Sequence, residues 1–265
     1  MSTEHLLPNE GDPEEGGMPS EFMRKKAVAS FNIKIRMGFQ RKVYSLLSVQ
    51  LLLTTIVAGF CAYSEVLNSY LKDNPVIFFL CLPLSIVLFG ALYIKRLDVP
   101  ANFYLLVAYT IVEAVTVGVF VSLYDVASVI QALILTTIIV VSLTIYTLQS
   151  KRDFSNLGTG LMIGLILLFG MGITNLFFSS TGMELIISGG GAILFSLFIV
   201  YDTHMMMKKL PAEEYILATI NLYLDVISLF LKLLKLIGVV ELGRTPWNNM
   251  VELLGNITVD LVRII

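Results

Sequence analysis

Two aspartates interrupt the last two long apolar runs of the chain. Asp202 lies within the run Glu184–Met207 and Asp225 within Tyr215–Ile237, and the short polar turn KKLPAEE joins the runs. A carboxylate near the centre of a bilayer costs roughly 2.5–3.5 kcal/mol on insertion scales, so such a residue points to ion or proton handling. At a helical rise of about 1.5 Å per residue, Asp202 sits about 9 Å from the end of its run, and Asp225 about 15 Å into the returning one. Antiparallel neighbours would bring the two together, and a close pair titrates as a unit. Asn221 and Ser228 fall at i−4 and i+3 of Asp225, so one helix face carries a polar stripe that belongs in a bundle interior. The plainer alternative is a pair of acids that only bonds helix to helix.

Glu113 is a third acid inside an apolar run, with Tyr109, Thr110 and Thr116 on its face. Three carboxylates at similar depth, with backbone carbonyls, could supply the oxygen ligands calcium prefers, or form a proton relay; Glu113 could equally be a structural group paired with Lys or Tyr. Glu184 opens its run, where it could cap the helix or, with Glu65, Asp73 and Asp125, form an acidic mouth that concentrates cations. His204, two residues after Asp202, points to another face and reads as an interfacial polar residue. Lys95 or Arg96, at the end of the second run, could latch onto Asp202, or both could simply anchor the membrane edge. Gly160 and Gly164, and Gly189–Gly191, suit close helix packing. Two cysteines and two histidines without metal spacing argue against a zinc site. Without GxSxG, HExxH or P-loop patterns, we expect no enzyme and no cofactor, and a bound calcium ion, if one is held, at Asp202 and Asp225.

The composition demands a membrane. Of 265 residues, 56% are hydrophobic and 14% charged, which is polytopic rather than soluble. Residues 1–30, rich in Pro, Gly and Glu, read as a disordered acidic tail, and 31–42 as a basic juxtamembrane segment. Seven apolar runs then fill 43–237, near Val43–Tyr63, Pro75–Ile94, Asn102–Leu123, Val129–Leu148, Leu157–Phe178, Glu184–Met207 and Tyr215–Ile237. Lys95/Arg96, Lys151/Arg152 and Lys208/Lys209 occupy alternate loops, which makes the N-terminus and those loops cytosolic. Lys232 and Lys235 near the end of the seventh run leave three options: snorkelling, a polar interior, or a run that dips in and returns. Residues 238–265 read as an amphipathic tail with a glycosylation sequon at Asn256. The expected fold class is all-α, a seven-helix membrane bundle.

YDTH at 201–204, KLPAEEYILATINLYLD at 209–225 and the following VISLFLKLL resemble the C-terminal signature of the transmembrane Bax inhibitor motif (Bax-inhibitor/lifeguard) family. LTIYTLQSKRDFS at 143–155 and NFYLLVAYTIVEAVTVGVF at 102–120 are most similar to its Golgi anti-apoptotic branch. The resemblance implies a pH-sensitive calcium leak channel of Golgi and endoplasmic-reticulum membranes that suppresses apoptosis. It implies a gating pair at Asp202 and Asp225, a conduction role for Glu184 and an arginine latch at Arg96. Two other readings stand beside it: a proton-coupled calcium transporter, and a non-conducting scaffold for calcium-release channels or apoptotic regulators. The partners implied are the lipid membrane and calcium, and no nucleic acid.

Overall fold

The computed structural model of the chain describes residues 19–74, 76–178 and 180–242. Eight helices run through them: α1 (Pro19–Tyr63), α2 (Glu65–Asp73), α3 (Val76–Ile94), α4 (Ala101–Val121), α5 (Val126–Gln149), α6 (Leu157–Phe178), α7 (Thr181–Lys208) and α8 (Tyr215–Leu242). No strand occurs among the described residues. Five helices are long and apolar enough to cross a membrane: α4, α5 and α7, with Ile35–Cys61 of α1 and Leu157–Asn175 of α6. The chain is therefore an integral membrane protein. The apolar part of α3 is shorter, Phe79–Ile94.

α1 departs from the expected boundaries. It is one helix of 45 residues that starts at Pro19 and runs on through the basic segment. Pro19 suits the first helical position, and Met23, Lys25, Lys26, Ala27 and Ala29 are strong helix formers that composition alone hides. The rest of the acidic tail, and residues 243–265 of the C-terminal segment with Asn256 among them, lie outside the described residues, while 238–242 continue α8.

α2 was not anticipated from the apolar pattern. Its start is set by Ser64, whose hydroxyl accepts from the Leu67 amide at 3.4 Å, and Glu65 stands in its first turn. Asn68 then ties it down, donating to the carbonyls of Cys61 and Ser122, both at 3.4 Å.

α8 is the centre of the bundle. It packs against α7 most extensively and also against α5, α1 and α4. Every residue from Leu222 to Lys235 is buried, on all sides of the helix. A helix walled by other helices needs no apolar surface for lipid, which is how it can carry Asp225, Lys232 and Lys235. It is continuous to Leu242, so the run does not dip and return. Lys232 and Lys235 are 2% and 7% exposed, so of the three options for them the polar interior holds.

Of the glycines singled out in the sequence, two show close approaches. A Cβ on Gly164 of α6 would stand 2.8 Å from Leu194 Cδ1 of α7, and one on Gly191 of α7 would stand 2.8 Å from Lys232 Cδ of α8. The other glycines singled out, Gly160, Gly189 and Gly190, have nothing within 4 Å of that position, so the packing role falls on one member of each group.

Candidate functional site: the seam between α7 and α8

The contact between Gly191 and the Lys232 stem sets both the facing and the register of the two helices. At 100° per residue, Glu184 and Asp202 lie within about 20° of Gly191 on α7, and Asp225 within about 20° of Lys232 on α8. All of these side chains therefore belong to one seam. Counting back from the contact along antiparallel helices, Asp225 comes level with the neighbourhood of Phe198. That leaves it about one to two turns, roughly 6–10 Å, from Asp202 along the axis. Asp225 is fully buried and Asp202 is 7% exposed.

The seam is divided. Glu184, Ser188, Lys232 and Lys235 make up the half nearer the start of α7, and Asp202 and Asp225 the half nearer the α7–α8 turn. Phe195, buried on the same stripe of α7, stands between them, with its ring centroid 5.9 Å from that of Phe198 at the level of Asp225. Glu184 is in the first turn of α7, where negative charge suits the helix terminus. It is buried, while Glu65 and Asp125 are exposed. It therefore belongs to the seam interior and not to an exposed acidic mouth. Ser228 donates its hydroxyl to the Leu224 carbonyl at 2.5 Å, and Asn221 lines a neighbouring cavity of about 630 Å³ between α3, α6, α7 and α8, together with Tyr93, Ser155 and Tyr201.

Glu113 is on the other side of α8. Its carboxylate accepts from Ser85 of α3, and Tyr109, one turn earlier, meets Tyr223 of α8 edge-on at 6.5 Å. Tyr223 and Asp225 are two residues apart, about 200° around the helix, so they face opposite ways. Gln50 donates to Thr110 at 2.8 Å, and the Thr54 and Tyr223 hydroxyls share a hydrogen bond of 2.8 Å, completing a polar layer between α1, α3, α4 and α8. Among the described residues no three His, Cys, Asp or Glu side chains gather to hold a metal. Equal depth did not bring Glu113 to the aspartates, because depth says nothing about which way a helix faces. Calcium takes about six to eight oxygen ligands, more than the carboxylates of Asp202 and Asp225 supply by themselves.

A clasp closes the turn end of the seam. Arg36 of α1 donates to the carbonyls of Met207, Lys208 and Leu210 at 3.1, 3.2 and 3.3 Å. The Met207 and Lys208 carbonyls are ones that the end of α7 leaves without helical partners, the Leu210 carbonyl belongs to the turn, and the guanidinium also complements the helix dipole there. Lys42 lies over the Tyr215 ring at 5.3 Å, at the start of α8. The ion-pair partner of Arg96 is Glu214 of the turn, at 3.7 Å. A latch at Arg96 thus exists, but it holds the α7–α8 turn and not the first aspartate. Nothing in the spacing of Arg36 marked it, since its partners are backbone groups more than 170 residues away.

His204 is buried. It is 1% exposed, its Nε2 is 3.5 Å from Asp153 Oδ1, and its ring meets Phe154 edge-on at 5.6 Å. The α5–α6 loop covers it on the face of α7 opposite Asp202. The hydroxyl and amide of Ser155 hold the exposed Asp153 carboxyl below the usual carboxylate range.

Known proteins match the chain over nearly the whole described span. Residues 36–241 match the family described as "Inhibitor of apoptosis-promoting Bax1". The chain belongs to the Bax inhibitor/lifeguard family. It is 46% identical to Protein lifeguard 4 of Mus musculus over 221 residues, covering 83% of this chain and 93% of that protein. It is 44% identical to the Golgi anti-apoptotic protein of Vaccinia virus (strain Lister) over 219 residues, 83% of this chain and 92% of that one. A more distant relative is Bax inhibitor 1 of Schizosaccharomyces pombe, 30% identical over 222 residues, 83% and 84% of the two chains.

Proposed function

We propose that this lifeguard-family protein is a pH-sensitive, calcium-permeable leak channel of Golgi and endoplasmic-reticulum membranes that lowers store calcium and suppresses apoptosis, with no enzymatic activity. It crosses the bilayer seven times, with α1 and α3–α8 as spans and the N-terminus in the cytosol. The observation that carries the reading is the seam itself: two buried aspartates on facing stripes of α7 and α8, beneath a turn clasped by Arg36 and Arg96. In this reading Asp202 and Asp225 close the cytosolic half of the path when they share a proton or a cation. A change in their protonation re-sets that closure, and Glu184 is the acid a calcium ion meets on the other side of Phe195. The names of the mouse and viral relatives support the anti-apoptotic and Golgi parts of the proposal.

Lys232 favours a second reading. A buried ammonium in the same seam repels calcium unless the acids around it change partners as the ion passes. Such an exchange of charges is how a proton-coupled calcium transporter works.

Calcium flux into liposomes holding the purified protein, at acidic and neutral pH, tests both readings. Flux that rises linearly with the calcium gradient, and loses its pH dependence in Asp202→Asn or Asp225→Asn, supports the channel. Saturable flux driven by a proton gradient moves the assignment to the transporter. No flux from folded protein at either pH overturns both and leaves the scaffold.

A further inference from the structure

α1 and α5 both pack on α8, which leaves a slot between them floored by Val226, Ile227 and Phe230. It runs from Leu51 to Tyr63 on α1 and from Val126 to Val141 on α5, a length of about 18–22 Å at the helical rise. Its volume is about 410 Å³, within the roughly 300–1,000 Å³ range of small-molecule sites. Drawn out over that length, the space is long and narrow, the shape that an extended hydrocarbon chain takes. A helix, about 10–12 Å across with its side chains, does not enter it, so a segment of a second copy is not its occupant.

The walls have no polarity left to offer. Four threonines line the slot, and each hydroxyl is already engaged. Thr55 donates to Leu51 O at 2.8 Å, Thr136 to Ala132 O at 2.7 Å and Thr137 to Leu133 O at 2.8 Å. Thr54 bonds Gln50 O at 2.9 Å and the Tyr223 hydroxyl at 2.8 Å. A threonine in a membrane helix that back-bonds to its own turn presents a methyl group outward. The slot is therefore hydrocarbon to whatever enters it, and neither water nor an ion gains a partner there. Tyr63, 72% exposed, stands at one end, as an amphipathic residue at a headgroup level does. Both walls belong to helices long and apolar enough to cross the membrane, so the matter at the opening is lipid.

We propose that this slot is a binding site for one acyl chain of a membrane phospholipid, with its headgroup at the Tyr63 end. The chain lies along the slot floor, against the small surface that Val226 and Phe230, each 7% exposed, leave open there. These floor residues lie on the side of α8 away from Asp225, so the seated chain props the central helix from behind the seam. The proposal depends on the membrane assignment and not on calcium conduction.

The test uses the full chain in nanodiscs containing phosphatidylcholine with a photoreactive diazirine midway along one acyl chain. After illumination, adducts are mapped by mass spectrometry. Adducts at Ile130 and Leu133, facing the slot, should exceed those at Ile163 and Ile166 of α6 several-fold, although the α6 pair is at least as exposed. Gly59→Phe blocks the slot from one wall; an added Cβ there has nothing within 4 Å, so the ring enters empty space. Thr137→Phe blocks it from the other wall. In either variant, slot labelling should fall to the α6 level while α6 labelling stays unchanged. Equal labelling of slot and α6 in the unaltered protein overturns the proposal, and so does enrichment that survives both substitutions. Displacement of the phospholipid adduct by an equal amount of cholesterol assigns the slot to a sterol and overturns it too.

Discussion

Replacing Gly191 by alanine probes the contact that aligns the seam. The new Cβ would stand 2.8 Å from Lys232 Cδ, 3.0 Å from its Cε and 3.1 Å from its Cγ. Carbon atoms prefer about 3.5–4.0 Å, so three stem atoms must give way by about 0.5–1 Å in a buried position. Overpacking of that kind costs about 1–3 kcal/mol. The gain of about 1 kcal/mol from replacing glycine inside a helix offsets part of it, which leaves a net loss of up to about 2 kcal/mol. Gly189 and Gly190 are built-in controls, because an added Cβ at either has nothing within 4 Å. Alanine there should raise stability by the helix term alone. With about 2–4 °C per kcal/mol for a chain of this size, thermal unfolding in detergent micelles separates the three variants. Removing the stem gives the sharper comparison: in a Lys232→Ala background, Gly191→Ala should change sign and stabilise. If Gly191→Ala behaves like the Gly189 and Gly190 variants, or if its effect is the same with and without Lys232, then the helices do not meet there, and the register deduced for Asp202 and Asp225 is wrong.

Four further outcomes follow from the same geometry. Arg36→Ala removes three bonds to the end of α7; charged hydrogen bonds are each worth about 1.5–3 kcal/mol when buried, less at this half-exposed site, so amide hydrogen exchange over 204–210 should speed up while the core of α8 is unchanged. Glu214→Gln releases Arg96; the pair is partly exposed, so stability should move by less than about 1 kcal/mol, and a measurable change in the pH dependence of flux would show that the turn participates in gating. Tyr223→Phe leaves Thr54 with only its own-helix partner and should cost about 1–2 kcal/mol of stability. Ser155→Ala should return the Asp153 carboxyl toward its ordinary value, read by carbon NMR titration. Because that group is held low in the folded protein, its favourable contribution is full above the ordinary aspartate range and is lost as pH falls through the lowered value, so the loop over His204 should loosen at a higher pH in the variant.

Much of this protein was legible in its residues. The membrane class, the apolar runs and the isolated acids came from composition and periodicity, and the YDTH and KLPAEEY segments pointed to the family. The faces also followed from spacing: Asp202 and His204 had to point apart, and Asn221 and Ser228 had to flank Asp225. What spacing could not say was which neighbour each face meets. Glu113 and Asp225 lie at similar depths yet on opposite sides of α8. Arg36, read as one basic residue among several, caps a helix end far along the chain. Arg96 holds the turn and not the aspartate, and the threonines of α1 and α5 gave no sign that they wall a slot. The physical reason is common to all four. Along one helix, hydrogen bonding fixes a 3.6-residue repeat, so a sequence states its own stripes. Between helices in a bilayer every apolar surface is equally content against lipid or protein. The choice of neighbour then rests on small residues, buried polar pairs and orphan carbonyls, whose partners exist only once the whole bundle is assembled.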